Sequence, residues 1–157
     1  MNKHSNNSKR TGLTLLEIVL VLALISLSLS LSIIFVRRTQ INADINAQTE
    51  NLVYHLRLAQ SNAISGVNNS PHGVHIESTK FSVFEGATYN EENEQNFTIE
   101  LPASYSIQNI NLQNAGSDIV FTAPNGETED YGDFTLTATN IDEENTITIT
   151  EKGTISY

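Results

Sequence analysis

The longest feature of the hydropathy pattern is the stretch from Leu13 to Val36, LTLLEIVLVLALISLSLSLSIIFV, which carries one charge, Glu17, and neither Gly nor Pro. Lys9 and Arg10 precede it and Arg37 and Arg38 follow it. A helix of this length rises far enough to cross a hydrocarbon layer of ~30 Å, so the run predicts a membrane-spanning helix. Between Ser26 and Ser32 leucine and serine alternate with period two, which taken alone suggests a half-buried strand. A lone strand cannot satisfy its backbone in lipid, whereas a helical serine can bond the carbonyl four residues earlier, so helix is expected here too.

Beyond Arg38 the apolar positions Ile41, Ile45, Leu52, Leu56, Ala59 and Ala63 fall at three-and-four spacing. That spacing predicts an amphipathic continuation of the helix to about Ser65, ended by Gly66 and the Asn-Asn-Ser-Pro that follows. The rest of the chain is a series of short β-rich runs separated by turn residues: 74–76, 80–84, 97–101, 105–112, 119–122, 134–138, 146–150 and 154–157. Phe97, Ile99 and Leu101 are expected on one face, and so are Phe134, Leu136 and Ala138. Glu151, Lys152 and Gly153 predict a hairpin loop joining the last two runs. The fold class is therefore α+β. A long N-terminal helix, transmembrane in its first half and amphipathic in its second, packs on a C-terminal antiparallel β-sheet head. The expected divisions are 1–12 as a polar basic leader, 13–36 as the apolar helix, 37–65 as its amphipathic continuation and 66–157 as the head.

Charge narrows the function. The formal net charge is −10, and taking away the leader's three basic residues, Lys3, Lys9 and Arg10, leaves −13 for the remainder. Such a surface repels phosphates and disfavours nucleic acid as a partner. There is no cysteine, which excludes disulfides, thiolate metal sites and a Cys nucleophile. Three leader cations against Arg37 and Arg38 place the leader in the cytoplasm and the head outside it. An ordinary secretory signal has a shorter apolar core and small residues at its far end, unlike the Phe35-Val36-Arg37-Arg38 found here. An uncleaved signal anchor is the stronger alternative.

Glu17 is the residue that asks for a partner. A carboxylate within an apolar helix costs on the order of 2.5–3.5 kcal/mol at the bilayer centre, although the start of a helix favours an anion. The leader ending in Gly12, followed by Leu13, Thr14, Leu15, Leu16, Glu17 and the apolar run, resembles the N-terminal signal of type IV pilins and of the pseudopilins of type II secretion. The resemblance implies cleavage between Gly12 and Leu13 by a prepilin peptidase and N-methylation of Leu13. It also implies pairing of Glu17 with the terminal amine of a neighbouring subunit during filament assembly. Leu13 stands where that family usually has Phe, and the run lacks the helix-breaking Gly and Pro that major pilins often carry. Further on, Leu56 to Ile64, Gly73-Val74-His75-Ile76, Phe121 to Gly126 and the terminal hairpin around Gly153 resemble the GspH/FimT group of minor pseudopilins and minor pilins. The implied protein is a non-catalytic filament subunit of the bacterial inner membrane. Its implied partners are the prepilin peptidase, other pilins or pseudopilins through the helix, the inner-membrane assembly platform, and membrane lipid before assembly. Members linked to DNA uptake are expected to be basic near the C-terminus, and this chain is not, so DNA binding is not carried over.

Other chemistry is sparse. His72 and His75 point to opposite faces if their segment is extended, and no third metal ligand is apparent. The acidic stretches 127–133 and 142–144 lack the spacing of a calcium loop and read as solvated. No catalytic motif is present, so neither an enzyme nor a cofactor is expected, and no metal site is assigned. The alternative of a different class is a signal-anchored β-rich binding module outside the cytoplasm, whose head recognises a ligand such as a glycan or a peptide.

Overall fold

Helix α1, Leu15–Ile64, starts at Thr14 and ends ahead of Gly66, whose φ of +65° turns the chain out of the helix. The computed structural model describes residues 14–114, 116–139 and 143–157, without the side chains of 31–42. The serine run is helical, not extended. Ser26 Oγ donates to Leu22 O at 2.8 Å, Ser28 Oγ to Leu24 O at 2.9 Å and Ser30 Oγ to Ser26 O at 2.8 Å. Among the described residues no helix is long and apolar enough to cross a membrane. A span takes ~20 residues, and the side chains described in the apolar run stop at Ser30.

The chain divides into two units between Gln40 and Ile41. In the first, the described apolar side chains are exposed, from Leu15 at 83% to Leu29 at 62%. In the second, α1 buries Ile45, Leu52, Val53, Leu56, Ala59 and Ala63, a stripe at helical spacing that joins the core of the β-rich part.

All eight predicted runs form strands: β1 His72–Ile76, β2 Lys80–Glu85, β3 Phe97–Glu100, β4 Tyr105–Leu112, β5 Asp118–Phe121, β6 Gly132–Ala138, β7 Glu143–Ile149 and β8 Ile155–Ser156. They make two antiparallel sheets rather than the single sheet expected, ordered β3-β2-β1-β5 and β4-β6-β7-β8. The division falls after Pro102, where the chain leaves β3 and does not pair back on it. The β1–β2 turn joins the sheets, accepting from Leu101 N at Thr79 O and from Ile107 N at Ser78 O. Each sheet turns one apolar face inward: Val74 pairs with Val83 and Ile119 in the first, and Phe134 with Ile147 in the second. Phe81, Phe121 and Phe134 fill the space between helix and sheets with almost no exposure.

Phe97 departs from expectation. It begins an edge strand and is 60% exposed, although Leu101 on the same face is buried. Its alternation is intact, but the core does not extend that far along the edge.

Polar side chains fasten helix to strands. Asn145 Nδ2 donates to Asn46 Oδ1 at 2.9 Å and to Thr49 Oγ1 at 3.0 Å, tying β7 to α1. Tyr105 on β4 packs against the core, where burial pushes its phenol above the usual range and the Asp44 carboxylate on α1 adds to the rise. A raised phenol favours folding with the proton on. Its contribution is complete below the unfolded value of ~10 and is lost as pH climbs through the folded one. The phenolate difference spectrum between wild type and Tyr105→Phe is therefore expected to develop above the ordinary tyrosine range; development within that range would contradict the packing.

Candidate functional site

Of the residues that the N-terminal signal singles out, Gly12 and Leu13 lie outside the described residues. Glu17 lies in the first turn of α1 and is exposed. Its own N–H donates to Thr14 O at 3.0 Å and to Thr14 Oγ1 at 3.3 Å. Thr14 is thus the N-cap, with Glu17 three residues on, the Thr-x-x-Glu order of a capping box. Attention to the carboxylate alone misses this second role, although the four letters carry it. A carboxylate in the first turn also gains ~0.3–1 kcal/mol from the helix dipole. Among the described residues no cation pairs with Glu17.

In the β-rich unit, Gln60 holds two loops against α1. Its Nε2 donates to Gly126 O at 2.9 Å and to Gly153 O at 2.8 Å, so one amide fixes the β5–β6 connection and the β7–β8 hairpin together. Both glycines have positive φ, +68° and +76°. Arg57 adds a bond from Nη2 to Ile155 O at 3.3 Å. Gln60, Gly126 and Gly153 are distant in sequence and meet here, all within segments that carry the second resemblance. Compared with family models, curated proteins and solved structures, the chain matches none.

The histidines are held by local partners. His72 Nε2 donates to Val67 O at 3.2 Å and the residue is buried, while His75 lies on the opposite face of β1. His75 Nδ1 donates to Asp118 Oδ1 at 2.5 Å, its Nε2 is 3.7 Å from Glu77 Oε1, and its ring stacks on Tyr89 at 4.0 Å. Asp118 Oδ2 also accepts the Tyr89 N–H at 3.3 Å. These contacts tether the β2–β3 loop to β1 and β5. Glu77 in turn bonds Lys80 at 3.2 Å, and that hydrogen bond, with the charge of Glu77, raises the Lys80 pKa. Among the described residues no group of three or more His, Asp or Glu is placed to hold a metal. His55 bonds Asn51 O through Nδ1 at 2.8 Å and stacks on Phe97.

The acidic loop is built rather than loose at one point. Asp130 Oδ2 accepts Val120 N at 3.1 Å and Oδ1 accepts Asn114 Nδ2 at 2.8 Å, bracing β5 from the side. In the second acidic stretch Asp142 lies outside the described residues, and Glu143 and Glu144 begin β7.

Proposed function

We propose that this chain is a minor pseudopilin or minor pilin, a non-catalytic subunit of a type II secretion pseudopilus or a type IV pilus. The observation that carries the reading is the order of the N-terminal residues: a basic leader, Gly12, Leu13, a glutamate at position 17 and a long apolar run. The exposure of the apolar side chains from Leu15 to Leu29 supports it. A helix apolar all round needs lipid or other helices around it. In this reading a prepilin peptidase cuts after Gly12, the new Leu13 amine is methylated, and the stem waits in the inner membrane with the head outside the cytoplasm. Glu17 then neutralises the terminal amine of a neighbouring subunit as each stem leaves lipid for the filament core.

The test is the intact mass of the membrane-extracted chain, expressed with and without a prepilin peptidase. Loss of residues 1–12 only when the peptidase is present, with or without one methyl group, is the expected result. An uncut chain, or a cut near Val36, overturns the proposal in favour of a signal anchor or an ordinary secreted domain.

A further inference from the structure

A cleft of about 250 Å³ opens between the end of α1, the turn after it and the first sheet, and Asn62, Asn68, His72, Glu85, Gln95 and Phe97 line it together with the apolar Val83 and Phe84. Three side-chain amides, each both donor and acceptor, share it with one carboxylate and one imidazole. Neither ammonium nor guanidinium appears in the lining, and the whole chain carries −10. That combination suits an uncharged ligand with several hydroxyl groups and gives an anion nothing to bind.

One further observation points to a ligand. Phe97 is 60% exposed, and its ring is steadied by His55 at a centroid distance of 5.8 Å and an interplanar angle of 26°. The ring offers a flat apolar surface beside the polar groups of the cleft. Its electron-rich face attracts the weakly positive C–H bonds of a pyranose. Asn68, in the turn after α1, has φ of 54°, in the left-handed region that asparagine readily adopts. Its Nδ2 donates to Glu85 Oε2 at 2.8 Å, which holds these two polar groups of the lining together. The cleft is small beside the ~300–1,000 Å³ of drug-sized sites.

We infer that this cleft binds a neutral sugar residue, with Phe97 as the platform and Asn62, Asn68, Gln95 and Glu85 as the hydroxyl partners. The head would thereby recognise a terminal glycan unit on a surface or a secreted substrate, whether or not the stem assembles into a filament. A single open subsite of this kind implies a dissociation constant on the order of millimolar.

The experiment is saturation-transfer NMR on the full chain in a phosphocholine detergent, because a glycoside detergent would compete. The probes are methyl β-glucoside, methyl β-galactoside and N-acetylglucosamine. Transfer to the ring C–H protons of at least one sugar is expected, reduced about tenfold by Phe97→Ala and retained by Phe97→Trp. Transfer to none of the three, transfer unchanged in Phe97→Ala, or equal loss in both variants would each overturn the assignment.

Discussion

Gly153→Ala is expected to destabilise the β-rich unit by about 3–5 kcal/mol, a large part of the ~5–15 kcal/mol that holds a domain together. Two effects add. At φ +76° a residue with a Cβ loses ~1–2 kcal/mol to the left-handed backbone. The new Cβ would also fall on the Gly126 carbonyl oxygen and on Gln60 Nε2, the two groups that the clamp brings together. One is backbone, and the other is already committed to two bonds, so neither can step aside without breaking the clamp. Each lost hydrogen bond adds ~0.5–1.5 kcal/mol. Gly66→Ala supplies the control, since its φ of +65° is similar but a Cβ there meets nothing within 4 Å. It should cost only the backbone term, ~1–2 kcal/mol. Urea unfolding of the full chain, followed by tyrosine fluorescence, measures both. Equal losses at the two positions would show that conformation alone, and not the clamp, sets the requirement for glycine.

Gln60→Ala takes the clamp away from the other side. It leaves the Gly126 and Gly153 carbonyls without that donor and should cost about 1–3 kcal/mol. The two changes act on one contact, so the double variant should lose less than the sum.

These features differ in how far the chain alone discloses them. Strand positions were legible because alternation survives in short segments: 105–112 was read with the bounds it has, and the others differ by a few residues at their ends. Pairing was not legible. Alternation tells which side chains share a face, but it does not say which strand lies alongside, and so two sheets read as one. Phe97 has the right parity and the wrong depth, since periodicity is blind to where an edge strand runs past its core. Gln60 and Asp118 act on groups far along the chain, Gln60 across 93 residues to Gly153 and Asp118 across 43 to His75, and only folding supplies those partners. Thr14 is the opposite case. Thr-Leu-Leu-Glu spells a helix start, and reading Glu17 through its charge and the helix dipole leaves out the hydroxyl of Thr14.

The carboxylate can be separated from the helix start, because the bonds there come from the Glu17 backbone N–H, which glutamine keeps while losing the charge. Glu17→Gln is therefore expected to leave helix content and cleavage after Gly12 unchanged while lowering incorporation into filaments at least tenfold. The size follows from the site. Removing one member of a water-poor charge pair costs ~2–5 kcal/mol, and ~1.4 kcal/mol already corresponds to a factor of ten. Thr14→Ala makes the complementary change, removing the hydroxyl that accepts the Glu17 N–H and keeping the carboxylate. Losing an N-cap costs ~0.5–2 kcal/mol, which a long helix tolerates, so that variant should be cut and incorporated nearly as well as wild type. Sheared-filament yield against membrane-retained subunit, measured by immunoblot in a strain supplying the peptidase and assembly platform, reads both. If Glu17→Gln assembles normally and Thr14→Ala does not, the glutamate belongs to the helix start, and the proposed pairing with a neighbour's amine falls.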